Sequence, residues 1–137
     1  SQGWQKKSVL SPAVEVALDS MIPESGTDLQ VALNWLARNA NQGTQAFLIT
    51  DGLPTKLSKQ GMVSRLISAC ARDPKGYVGG ECGQQIFSKS ITAVANASLE
   101  LNVILLPLEG DPLAAPQYWS LARSKGGLLF VPEQSWP

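Results

Sequence analysis

The stretch Phe47-Leu48-Ile49-Thr50-Asp51-Gly52-Leu53-Pro54-Thr55 decides how the rest of the chain reads. With Gln45-Ala46 before it, its apolar part is too short for a helix and breaks at Asp51-Gly52-Leu53-Pro54, which reads as a buried strand. Two further runs have the same character: Asn102-Val103-Ile104-Leu105-Leu106-Pro107-Leu108 and Leu128-Leu129-Phe130-Val131. Helical patterns separate them. One covers residues 59–72, with Met62, Val63, Leu66, Ile67 and Cys70. A long one spans residues 85–101, and another spans 116–124, stopped by Gly126-Gly127. Upstream, Ser11-Pro12 opens a short helix over 13–21. Leu29, Ala32, Leu33, Leu36, Ala37 and Ala40 then form an amphipathic helix ended by Asn41-Gln42-Gly43. Strands separated by helices predict an α/β fold, with a parallel sheet joined by right-handed crossovers and flanked by helices.

The 137 residues allow one domain, with enough apolar content (44%) and few enough charges (16%) for a packed core. Lys plus Arg and Asp plus Glu are equal at 11 each. This balance gives no basic field for nucleic acid or an anionic membrane. No apolar run is long enough for a transmembrane helix. Histidine is absent. Ser-His-Asp and Cys-His catalysis and His-ligated zinc are thereby excluded. No Ser-x-x-Lys pair and no phosphate-binding glycine pattern occurs.

The two cysteines, Cys70 and Cys82, flank a stretch containing Pro74, Gly76, Gly79 and Gly80. Such a loop could join them in a disulfide, which implies an oxidising compartment: extracellular, cell-surface or periplasmic. The alternative is two unrelated thiols, one on a helix and one in a loop. Gly79-Gly80-Glu81-Cys82-Gly83 reads as a mobile surface loop. Trp35 and Trp119 fall on helices and are expected to be core or half-buried, whereas Trp4 and Trp136 lie near the termini.

Ligands of open parallel sheets bind at the carboxyl ends of the strands. Asp51 would stand at that edge, where a carboxylate suits a hard cation such as magnesium; alternatively it is a turn aspartate. Thr27, in Ser25-Gly26-Thr27-Asp28, lies before a helix, and by itself Thr27 or Asp28 reads as an N-cap.

The segments Gly26-Thr27-Asp28-Leu29-Gln30-Val31-Ala32-Leu33 and Phe47 through Thr55 resemble von Willebrand factor type A domains. Asn102 through Leu108, Tyr118-Trp119-Ser120-Leu121-Ala122 and Gly126-Gly127-Leu128-Leu129-Phe130 are similar to that family's last strand–helix–strand unit. The likeness spans residues 11–132. It implies a doubly wound, Rossmann-like sheet and a metal-ion-dependent adhesion site. That site is built from a D-x-S-x-S loop, a threonine and the aspartate of a T-D-G-type turn. Thr27 matches the threonine and Asp51 the aspartate. No D-x-S-x-S occurs in the chain. The family's central first strand and the two after it would lie before Ser1. The chain therefore resembles the second half of such a domain, and residues 1–137 are expected to form a single von Willebrand A-like domain or its C-terminal part.

Two consequences are expected. The Phe47 strand would expose an apolar edge, which proteins avoid, so the chain is expected not to fold autonomously. Either an upstream segment or a second chain carrying the first half would cover it, or a different element does. Thr27 and Asp51 alone are too few for six-coordinate Mg²⁺ or another divalent cation, so the chain alone should bind metal weakly or not at all. The resemblance implies a non-enzymatic adhesion or protein-interaction module, whose cation takes an acidic side chain from a protein partner. The alternative is a structural or assembly subunit that has lost the cation site. A third reading is a magnesium-dependent phosphatase. Asp51-Gly52-Leu53-Pro54-Thr55 resembles the D-x-D-x-T loop of haloacid-dehalogenase-like phosphotransferases, although Leu53 stands where the second acid should be.

Overall fold

The computed structural model describes residues 12–20, 27–55, 80–106 and 111–133. Their order is α1 (Pro12–Asp19), α2 (Leu29–Asn39), β1 (Thr44–Thr50), α3 (Gly80–Ile91) with a 3₁₀ turn (Thr92–Val94), β2 (Leu99–Leu105), α4 (Ala114–Ser124) and β3 (Leu129–Phe130). The strands form a three-stranded sheet in the order β1-β2-β3, parallel throughout. β1 pairs with β2 from Thr44 opposite Leu99 to Thr50 opposite Leu105. The fold is α/β, as the alternation of strands and helices predicts.

Paired residues of parallel strands share a face, and successive residues alternate between faces. Leu99, Leu101, Val103 and Leu105 of β2 point into one core with Leu29 and Leu33 of α2, Phe87 of α3 and Tyr118, Leu121 and Ala122 of α4. Ala46, Leu48 and Leu129 pack against the same core. α2, α3 and α4 thus contribute to the core on one face. Two successive right-handed crossovers in the same direction require this arrangement for α3 and α4.

The opposite face is different. Phe47 is 58% exposed, Ile49 64% and Phe130 48%, and Ile104 beside them is only half-buried. Further along this face Gln45 and Asn102 both donate to the Glu100 carboxylate, at 2.8 and 3.0 Å. These bonds, the one from Asn102 first, hold the Glu100 carboxyl below its usual range. Asn102 is buried, and its side-chain oxygen accepts the Leu128 N–H at 3.0 Å, guiding the chain into β3.

Several boundaries differ from the sequence reading. The helix expected over 85–101 begins at Gly80 and ends at Ile91, and the strand begins at Leu99. Leu99 and Leu101 satisfy helical spacing and strand alternation equally well, so periodicity alone could not divide this segment. Gly80 to Gly83 are helical rather than a surface loop, and Gly83 is buried because α3 passes close to the Pro54 carbonyl. Trp119 is 57% exposed on the outer side of α4, with the Arg123 guanidinium 5.7 Å from its ring centroid, so it is not a core residue. The helix expected over 59–72, Cys70, Trp4 and Trp136 lie outside the described residues.

The end of α4 is fixed by two glycines with different tasks. Gly126 has φ +70°, and its N–H donates to the Arg123 carbonyl. The Gly127 N–H donates to the Ala122 carbonyl at 2.9 Å, completing a Schellman cap. Gly127 also lies so close to Leu101 that a Cβ would collide with the Leu101 carbonyl oxygen. Gly127→Ala is expected to destabilise the fold by about 3 kcal/mol through this overlap, and Gly126→Ala by about 1 kcal/mol through its left-handed backbone. Denaturant titrations check this, and equal losses would contradict the close approach.

Candidate functional site

β1 ends at Thr50, and the chain bends through Asp51, Gly52 and Leu53. This places Asp51 at the carboxyl end of the sheet, exposed, while Gly52, Leu53 and Pro54 beneath it are buried. The turn is held from several directions. The Leu106 N–H donates to the Thr50 carbonyl at 2.8 Å, carrying the β1–β2 ladder to the end of the strand. The Gly52 carbonyl accepts from the Tyr118 hydroxyl at 2.9 Å and from the Thr50 hydroxyl at 3.0 Å. The Leu53 N–H donates to Asp111 Oδ2 at 2.8 Å.

Thr27 reaches the chain just past this turn. Its N–H donates to the Thr55 hydroxyl at 3.1 Å, so the loop before α2 and the loop after β1 are neighbours. Asp28, not Thr27, caps α2: its carboxylate accepts the Val31 N–H at 3.2 Å. The Thr27 hydroxyl is therefore not used as a cap. Thr27 and Asp51 lie on adjacent loops at one rim. Both carry hard oxygen donors suited to a divalent cation, but two are too few to enclose one. No cluster of three or more His, Cys, Asp or Glu able to hold a metal occurs among the described residues.

Sequence pattern alone does not mark Tyr118 or Asp111 as part of this rim. Tyr118 falls in a helical pattern indistinguishable from core packing, and Asp111 in a Pro-containing loop. Their roles depend on contacts 66 and 58 residues away. Tyr118 is fully buried, edge-on to Phe87 with ring centroids 5.0 Å apart. Burial, chiefly, raises its hydroxyl from 10.0 to about 12; the Thr50 hydroxyl opposes the shift, and the charges of Asp111 and Asp51 add to it.

Cys82, in the first turn of α3, is buried and disulfide-bonded. The Cys70 end of the expected bridge lies outside the described residues. At the opposite end of the strands is an open cleft of about 360 Å³ lined by Gln45, Glu100, Ser124 and Lys125 among others. The Lys125 ammonium there is engaged by the Ala95 and Ala97 carbonyls at 2.7 and 3.1 Å. Among the described residues, no helix is long and apolar enough to cross a membrane. No family model, curated protein or solved structure matches the chain.

The Tyr118 shift fixes a pH dependence. A hydroxyl raised in the folded state ionises first in the unfolded chain, so its stabilisation is complete below pH 10 and is lost as pH rises towards 12. Between pH 10 and 12 the parent chain should lose about 2 kcal/mol more stability than Tyr118→Phe, measured by urea unfolding at each pH. Parallel curves would contradict this.

Proposed function

We propose that the chain is the second half of a von Willebrand factor type A-like domain and serves as a non-enzymatic protein-interaction module. In this reading Thr27 and Asp51 supply part of a site for Mg²⁺ or another divalent cation. The missing oxygen ligands come from a D-x-S-x-S loop on an upstream segment or a second chain. An acidic side chain of a protein partner takes the cation's open position. The observation that carries the reading is the Thr27–Thr55 hydrogen bond, which sets the two matching loops side by side at the carboxyl end of a parallel sheet.

The state of β1 adds support. Among the described residues it pairs only with β2, and its sequence Thr44-Gln45-Ala46-Phe47-Leu48-Ile49-Thr50 has no charge or proline to discourage pairing. β3, at the other edge, is only two residues long. A strand joining β1, followed by a right-handed crossover leading outward, would lay its helix on the face of Phe47, Ile49 and Phe130. One strand–helix unit would thus cover both the edge and the apolar face. A second copy pairing strand to strand would cover the edge alone. A disulfide between Cys70 and Cys82, in an extracellular, cell-surface or periplasmic setting, belongs to the same reading. The reading of a structural subunit without a cation site differs only in metal binding.

Sedimentation and calorimetry test the proposal. The full chain by itself is expected to self-associate with rising concentration, and Phe47→Lys with Ile49→Lys is expected to suppress this. Mg²⁺ or Mn²⁺ should bind the lone chain with a dissociation constant of about 1 mM or weaker. A chain that stays monomeric at every concentration would contradict the uncovered edge and face, and tight metal binding would contradict the incomplete site.

A further inference from the structure

The Thr50 carbonyl accepts the Leu106 N–H, so Thr50 directs its backbone groups towards β2. In a parallel ladder the N–H and C=O of one residue point to the same side, and successive residues point to opposite sides. Ala46 and Leu48 therefore face β2 as Thr50 does, while Gln45, Phe47 and Ile49 face outward, where no strand among the described residues pairs with them. The outward set is symmetric about Phe47, the middle residue of β1. A twofold axis normal to the sheet beside Phe47 turns this edge onto itself in the antiparallel sense. Phe47 then lies opposite Phe47 of a second copy, and Gln45 of each copy opposite Ile49 of the other. Each of these pairs is of the hydrogen-bonded kind, so every outward N–H of both copies finds a carbonyl. Parallel pairing through the same edge fails. There a residue facing its neighbour must lie opposite one that faces away, whereas a twofold axis along the strands sets Phe47 against Phe47.

The side chains agree with the backbone. β1 carries no charge that would meet its like across the axis, and Phe47, 58% exposed, gains an aromatic partner there. Seven residues a side is well below the roughly 20–30 of a standard stable interface, so the contact makes a weak, reversible dimer. We propose that two copies of this chain associate through β1 in this antiparallel register, joining their sheets into one in the order β3-β2-β1-β1-β2-β3. The proposal goes beyond the cation reading and does not rest on it. It needs only a free β1 edge, for which an upstream strand would compete.

The experiment uses the full chain, with sedimentation for size and residue-resolved amide exchange for register. Rising concentration should produce a dimer and slow exchange at Phe47 and Ile49 about tenfold, while Ala46 and Leu48, already bonded to β2, keep their rates. Phe47→Lys and Phe47→Glu each set like charges across the axis, and each alone should stay monomeric. Mixed in equal amounts they set opposite charges there and should dimerise again. Rescue by mixing separates a lost contact from a lost fold. A parent that dimerises while the mixture stays monomeric would overturn the proposal, because the copies then meet elsewhere. A parent that is monomeric at every concentration would do the same. So would equal protection at Phe47 and Leu48 in the most dilute sample, which would mean that the edge is already occupied. Calorimetry with Mg²⁺ reads the cation site separately, and neither result decides the other.

Discussion

β1 and β2 run parallel and in register over seven residues each, and most of the molecule follows from that pairing. A parallel pair cannot be closed by a hairpin, so the chain must cross over, and the crossover has a fixed hand. The same step repeats from β2 to β3. α3 and α4 therefore come to lie on one face, where α2 joins them around Leu101, Val103 and Tyr118. The other face, with Phe47, Ile49 and Phe130, is left open by the same geometry. The packed core and the bare surface have one cause.

The pairing also creates the rim. Because the strands point the same way, the turn after β1 and the segment after β2 emerge at the same end of the sheet. Asp111 can then reach the Leu53 N–H, and Tyr118 can reach the Gly52 carbonyl. The buried side of the turn is fixed by α3 and α4 while the Asp51 carboxylate stays exposed. The same topology that leaves a face uncovered thus presents the Asp51 carboxylate on backbone that the core holds in place.

Much of this was legible in the residues. The runs around Phe47, Val103 and Leu129 read as strands because short apolar stretches bounded by Gly and Pro leave little alternative. The break at Asp51-Gly52 marked the rim, and helical spacing from Leu29 to Ala40 marked α2. What could not be read depends on long-range contacts. Leu99 and Leu101 continue a helical pattern, and only pairing with Thr44 and Ala46 makes them a strand. Gly80 to Gly83 look like a loop until the close passage of α3 against Pro54 shows why a small residue is needed at Gly83. Trp119 obeys helical periodicity but falls on the outer side of α4, because Tyr118 and Leu121 already fill the inner one. The choice between Thr27 and Asp28 as the cap was open in the sequence, and a single hydrogen bond to Val31 resolves it.

The central claim is that β1 ends the described sheet with an edge and a face that nothing within it covers. Amide exchange along β1, in the full chain diluted below self-association, tests this most directly. Backbone groups of alternate strand residues point to opposite edges, and the Thr50 carbonyl faces β2. The N–H groups of Ala46 and Leu48 should therefore be protected along with that of Thr50, and those of Phe47 and Ile49 should exchange almost as in an unfolded chain. Equal protection at Phe47, Leu48 and Ile49 would mean that the edge is already paired, and would contradict the account.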